Sequence, residues 1–200
     1  MDPKNFKGSL LHFPVIKVVP ISDVHLPALD DYSHIIFTSK STVEIFFSLH
    51  PKVGQLRFLS IGPSTSTALK EKGYSSLMAE EATQEGIMKL IVKLNIKKLF
   101  LPCSNLARKD LAKFLNEQKI PYTLCYLYQT MFQIPFPPPE INDIEEIVFT
   151  SPSTVDGFLK IYPLSSLEGK KIHCIGPITR NYYIETTSRT GILAKLAPGY

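Results

Sequence analysis

Twelve residues of this chain return almost unchanged 112 positions later: IIFTSKSTVEIF at 35–46 and IVFTSPSTVDGF at 147–158 agree at eight positions. A second pair follows in the same order, LSIGPSTSTAL at 59–69 and HCIGPITRNYY at 173–183, sharing Ile-Gly-Pro at an offset of 114. Two matched pairs in one order describe two copies of a single supersecondary unit. A solenoid would need more and shorter repeats, so the duplication reads as two pseudo-symmetric domains.

Each copy opens on an apolar run, His34–Phe37 and Ile147–Phe149, with the composition of a fully buried strand. A Thr-Ser-x-Ser-Thr stretch follows, rich in residues that cap helix starts. Val43, Phe46 and Phe47, and in the second copy Val155, Phe158 and Leu159, then recur at helical spacing. Arg57–Ile61 and Ile172–Ile175 read as the next strands, each closed by Gly-Pro. Lys98–Leu101 reads as another strand, ended by Pro102 and leading into a helix over Leu106–Gln118, and Ile87–Leu94 reads as a further helix. Strands alternating with helices predict α/β layers built on parallel sheets flanked by helices. Between the copies, Tyr122–Ile134 reads as extended and runs into Pro135-Phe136-Pro137-Pro138-Pro139, which suits neither a helix nor a central strand. Val18–Pro27 reads as a second extended crossover.

Composition narrows the function. A 200-residue chain that is 44% hydrophobic can bury the cores of two domains. No apolar run reaches the roughly 18 residues of a membrane span, and the first residues break at Gly8 and Pro14 before a signal-peptide core forms. The expectation is a soluble, unexported, cytoplasmic protein. Its three cysteines, Cys103, Cys125 and Cys174, lack metal-ligand spacing and suggest neither a disulfide framework nor a zinc site. Nor do His12, His25, His34, His50 and His173 show metal-ligand spacing. A formal charge of +4, spread along the chain, argues against a nucleic-acid surface.

In a parallel α/β sheet, ligands bind beyond the carboxyl ends of the strands. The turns Thr38–Thr42, Gly62–Thr67, Cys103–Asn105, Thr150–Thr154 and Gly176–Thr179 are all expected there, each leading into a helix. Free N–H groups at helix starts attract carboxylates and phosphates, so a set of such turns suits a polyanion. Lys40, Arg108, Lys109 and Arg180 lie in or just after these turns and would add charge-assisted bonds. No Ser-His-Asp order, P-loop or dinucleotide fingerprint can be assembled. Tyr128 stands out because it falls in the seam between the copies, and a phenol, protonated at neutral pH, can donate to a departing oxygen. The competing role for it is packing, alternating with Tyr122 and Tyr126 along an extended strand.

The ordered series Phe-Thr-Ser-x-Ser, Ile-Gly-Pro-x-Thr, Leu-Pro-Cys-Ser-Asn-Leu-x-Arg, Tyr-Gln-Thr, Phe-Thr-Ser-Pro-Ser-x-Val and Ile-Gly-Pro-x-Thr resembles the uroporphyrinogen-III synthase family throughout Ile35–Arg180. The resemblance implies two α/β domains joined by a two-stranded extended connector, with the active site in the cleft between them and no cofactor or metal. On that pattern residues 1–18 and 135–200 build one domain, 22–127 the other, and 19–21 and 128–134 connect them. The implied reaction converts hydroxymethylbilane, a linear tetrapyrrole polycarboxylate, into uroporphyrinogen III. A hydroxyl is lost, ring D inverts through a spiro intermediate and the macrocycle closes. Tyr128 falls on the tyrosine proposed to assist hydroxyl departure. Thr38, Ser39, Ser64, Thr65, Ser104, Asn105, Ser151, Ser153 and Thr179 fall in the loops expected around the substrate. A monomer acting on a small molecule, with no nucleic-acid or membrane partner, is implied.

Two departures qualify the pattern. Only about twenty residues precede the first crossover, and no counterpart of helix Ile87–Leu94 follows the second copy, so the end-built domain is expected to be reduced. Ile178 also replaces a small polar residue after Gly-Pro. The alternative is a non-catalytic two-domain protein that binds an anionic small molecule and has no use for the Tyr128 phenol as an acid.

Overall fold

The computed structural model describes residues 8–107, 109–188 and 195–197. The chain divides into two compact units, one spanning Val18–Thr130 and the other drawn from the chain on either side of it. Both are α/β with mainly parallel strand pairing.

The Val18–Thr130 unit is built on a six-stranded sheet. Its elements are β1 (Ile16–Pro20), β2 (His34–Phe37), α1 (Lys40–Ser48), β3 (Arg57–Ser60), α2 (Pro63–Glu71), β4 (Ser76–Met78), α3 (Gln84–Lys93), β5 (Leu99–Ser104), α4 (Asp110–Glu117) and β6 (Tyr122–Phe132). Their spatial order is β1-β6-β5-β2-β3-β4. The chain moves outward from β2 through β3 to β4, then returns to the other side of β2 for β5 and β6. The reversal puts helices on both faces. Ile35, Phe37, Val43, Phe46 and Leu69 form one core with α1 and α2, while Ile36, Leu59, Ile87, Ile91, Leu99 and Leu115 form a second with α3 and α4. Strand β2 is buried along its whole length, as its unbroken apolar run requires.

The proline at 102 does not end its strand, contrary to the sequence reading. Leu99 N–H donates to Pro121 O, so by alternation Leu101 and Cys103 also face β6 while Phe100 and Pro102 face β2. Pairing with β2 runs only to Phe100, since the N–H that Pro102 lacks would have faced β2, and the strand is carried on by its pairing with β6. The expected helix at Leu106 likewise starts later, at Asp110. Residues 104–107 form a turn in which Ala107 N–H donates to Ser104 O and Leu106 N–H to Ser104 Oγ, leaving Leu106 exposed.

In the second unit, β7 (Glu146–Phe149), α5 (Pro152–Leu159), β8 (Lys171–Cys174), α6 (Gly176–Ser188) and β9 (Lys195–Leu196) follow in order, and the strands lie β7-β8-β9. Phe149, Val155, Phe158, Leu167, Ile172 and Tyr183 form its core. The expectation that Ile147–Phe149 is fully buried fails for an edge strand. Phe149 points into the core, but Val148 is 36% exposed.

The repeat itself departs at one position for a packing reason. Ile45 of the first copy corresponds to Gly157, where an added Cβ would lie 2.7 Å from Val15 Cγ2 and 3.0 Å from Val15 O. We expect Gly157→Ala to destabilise the protein by about 1–3 kcal/mol through overpacking, against the ~1 kcal/mol gain that helix propensity alone would give. Urea unfolding of both proteins measures it; a stabilised variant would contradict the packing argument.

Candidate active site

The reversal of strand order places a crevice between the carboxyl ends of β2 and β5, the position where doubly wound sheets bind ligands. Thr38 and Ser39 leave β2 there, and Ser104 and Asn105 end β5. Ser39 is the N-cap of α1, its Oγ accepting Thr42 N–H at 3.1 Å. Asn105 N–H donates to Tyr128 O, and Asn105 Oδ1 accepts Thr130 N–H at 2.9 Å. The Cys103–Asn105 turn is therefore not a helix start, as its sequence suggested. It is fastened to β6.

That fastening coincides with a bulge. Cys103 pairs with Tyr126 but Ser104 pairs with Tyr128, so β6 carries one extra residue opposite the step. Up to the bulge β6 alternates regularly: Tyr122 and Leu124 pack toward the α3/α4 core, Cys125 and Leu127 toward the α1/α2 core. Strict alternation would return Tyr128 to the side of Tyr126. Instead it joins Leu127 in the α1/α2 core and is 6% exposed, whereas Tyr126 is 50% exposed. The expected alternation of Tyr128 with Tyr122 and Tyr126 is broken at this residue.

The phenol arrives at the start of α1. Tyr128 Oη lies 3.1 Å from Ser39 Oγ and 3.4 Å from Thr42 Oγ1, and these two oxygens are 2.8 Å apart. Thr42 is buried and Ser39 half-buried. On the other face of the sheet, with Tyr126 and α4, a cavity of about 480 Å³ is lined by Thr38, Gln84, Asn105, Lys109, Lys113 and Tyr126, among others. Gln84 Oε1 accepts Leu111 N–H, satisfying a donor in the first turn of α4, where Lys109 supplies no side-chain cap. Burial pushes the Cys103 thiol up to about 12, so it is a protonated packing group at this site rather than a nucleophile.

The remaining residues singled out in the sequence are spread over both units. Ser64 and Thr65 lie in the first turn of α2, whose N-cap is Gly62, with Ser64 exposed and Thr65 buried. Ser151 is the N-cap of α5, Ser153 Oγ lies 3.0 Å from Ser151 Oγ, and Thr179 is buried in the first turn of α6. Lys40 is exposed at the first position of α1, and Arg180 Nη1 donates to Ala197 O. Arg108 lies outside the described residues.

A model of the family described as uroporphyrinogen-III synthase HemD matches residues 4–194. The chain belongs to the uroporphyrinogen-III synthase family. It is 30% identical over 171 residues to a putative uroporphyrinogen-III synthase of Methanothermobacter thermautotrophicus, covering 75% of this chain and 68% of that protein. It is also 27% identical over 213 residues to the porphyrin biosynthesis protein HemD of Ruminiclostridium josui, covering 87% of this chain and 41% of that longer protein. Its fold is that of the uroporphyrinogen-III synthetase of Helicobacter pylori, at a TM-score of 0.67 and 17% identity over 92% of this chain and 84% of that one. The family and the named relatives point to uroporphyrinogen-III synthase, a cyclising lyase of haem biosynthesis, over the binding-protein alternative. Among the described residues no helix is long and apolar enough to cross a membrane.

Sequence reasoning included Thr42 in the ligand-facing turn Thr38–Thr42 but did not single it out as a site residue. It also missed Gln84, whose role depends on the distant start of α4. A second cavity, about 710 Å³, lies at the opposite end of the sheet and is lined by Asp30, Ser33, His34 and Arg57, among others. Ser33 Oγ spends its proton on Lys98 O, so His34 Nδ1, 2.9 Å away, is the donor to Ser33 and Nε2 carries a buried, unpartnered lone pair. Burial, helped by the charge of Arg57, lowers the His34 pKa. The unfolded chain then takes up this proton first as pH falls. Stability is full above about 6.5 and drops as pH falls through that value toward the folded one. We expect His34→Leu to lessen this acid-side loss, read as unfolding free energy against pH; an unchanged slope would contradict it.

Proposed function

We propose that the chain dehydrates and cyclises hydroxymethylbilane to uroporphyrinogen III, with Tyr128 as the acid that assists departure of the hydroxyl. The observation carrying this reading is the delivery of the Tyr128 phenol, by the bulge in β6, to the hydroxyl-lined start of α1 at the strand-order reversal. Hydroxide is a poor leaving group, and a positioned proton donor lets it depart as water. The cation left behind is an azafulvenium. Holding the bilane so that ring D closes in inverted orientation is a matter of positioning, which can be worth more than any single side chain.

The turns that follow the strands carry the substrate's carboxylates in this reading, through Thr38, Ser64, Thr65, Ser151, Ser153 and Thr179 with the N–H groups of their helix starts, and through Ser104 and Asn105 at the end of β5. Lys109 at the cavity adds positive charge, while Lys113 there faces Glu117 at 3.9 Å. The two units are taken as copies of one fold unit joined by extended connectors around 19–21 and 128–134. The enzyme is proposed to act as a monomer in the cytoplasm, on a small molecule rather than a nucleic acid.

Two outcomes follow. Tyr128→Phe keeps the ring and removes the donor, so kcat for type III product should fall by about 10²–10⁴-fold while affinity for the macrocyclic product is retained. Wild-type turnover by that variant would assign the phenol to packing alone. Thr65→Ala, Ser151→Ala and Thr179→Ala should each retain measurable synthase activity, because backbone donors dominate and removing a helix-start hydroxyl costs about 1 kcal/mol. Complete loss of activity in one of these variants, with its fold intact, would mark that residue as catalytic.

A further inference from the structure

The duplicated motif provides an internal control for what Thr42 does. In the second unit its counterpart Thr154 serves its own helix: Oγ1 accepts the N–H groups of Thr150 and Ser151, both at 3.2 Å, and donates to Ser151 O at 2.7 Å. Thr42, in the same sequence context, has none of these bonds among those of the described residues. Its Oγ1 turns instead to Ser39 Oγ and Tyr128 Oη. The same five-residue signal is thus used as a plain helix cap in one unit and given to a phenol in the other.

Three oxygens, three protons and three edges of 2.8, 3.1 and 3.4 Å make a ring within which each hydroxyl can donate once and accept once, Ser39 Oγ using its other lone pair for Thr42 N–H. While the ring is closed, the proton of Tyr128 rests on one of the two alcohols. Once that proton leaves, both alcohols are free to turn their own protons onto the phenolate oxygen. The N-terminus of α1, which Ser39 caps, has the sign that favours the negative charge.

We infer that Thr42 and Ser39 are positioning residues for Tyr128, aiming its hydroxyl in the resting enzyme and donating to its phenolate during the dehydration. The inference rests on Tyr128 being the acid. In the step, the Tyr128 O–H bond breaks and its proton goes to the departing hydroxyl oxygen. The C–O bond breaks with its electron pair on that oxygen, water leaves, and the positive charge stays on the bilane. Ring closure later releases a proton from the attacked pyrrole carbon, and the phenolate takes it back. Ser39 spends its hydroxyl on this ring rather than on substrate, and Thr42, fully buried, acts only through Tyr128.

The test is a double-mutant cycle: Thr42→Val and Ser39→Gly, each made in the wild-type and Tyr128→Phe backgrounds, with Thr42→Ser as the rescue. Glycine is tolerated as an N-cap, so Ser39→Gly keeps α1 should Thr42→Val fail to fold. Each variant should lower kcat for type III formation by about 10- to 100-fold, the worth of one hydrogen bond to a charged oxygen, with KM unchanged. Thr42→Ser should restore kcat. In the Tyr128→Phe background neither variant should slow the enzyme further. Wild-type kcat in Thr42→Val or Ser39→Gly, or the same loss in both backgrounds, would overturn the inference while leaving the acid role intact. Wild-type turnover by Tyr128→Phe would overturn the acid role itself, and this inference with it.

Discussion

One extra residue in β6 decides where the chemistry of this protein can sit. Without the step between Cys103 and Ser104, Tyr128 would lie on the α3/α4 side of the sheet, with Tyr126. With it, Tyr128 crosses to the α1/α2 side and reaches Ser39 and Thr42. The step is held from both strands, by Asn105 N–H on Tyr128 O and by Thr130 N–H on Asn105 Oδ1. Asn105 therefore acts as a structural fastener whatever it contributes to substrate. Bulges next to active sites commonly re-aim a side chain in this way, and here the side chain is the one on which the proposed dehydration depends.

Much of the architecture was readable from residue order. The apolar run at His34–Phe37, the Thr-Ser cap at 38–39 and the Ile-Gly-Pro turns gave strands and helices close to those observed, because a buried parallel strand and a capped helix both leave strong local patterns. The errors arose where a distant partner overrides the local signal. Pro102 looked like a stop, yet it sits in a strand because its missing N–H faces β2 while pairing with β6 continues past it. Leu106 looked like a helix start, yet hydrogen bonds to Ser104 and the pull of Asn105 toward β6 hold the chain in a turn until Asp110. The bulge had no sequence mark at all, since it is a relation between two strands.

The duplicated motif shows how similar sequences acquire different duties. Ser39 and Ser151 both cap helices, and Thr42 and Thr154 stand at the same place relative to them. What differs is the partner each threonine finds, a phenol in one unit and its own backbone in the other. Gly157 makes the same point in packing, standing where the first copy has Ile45 and where Val15 comes close. The motif occurs twice, and tertiary contacts bring Tyr128 to only one of its copies.

The central claim is that this arrangement turns over hydroxymethylbilane with inversion of ring D. The most direct measurement is to mix the purified chain with freshly generated hydroxymethylbilane and separate the macrocyclic isomers by chromatography. The account requires type III product, formed in proportion to the amount of protein. Type I product alone, at a rate indifferent to added protein, would contradict it.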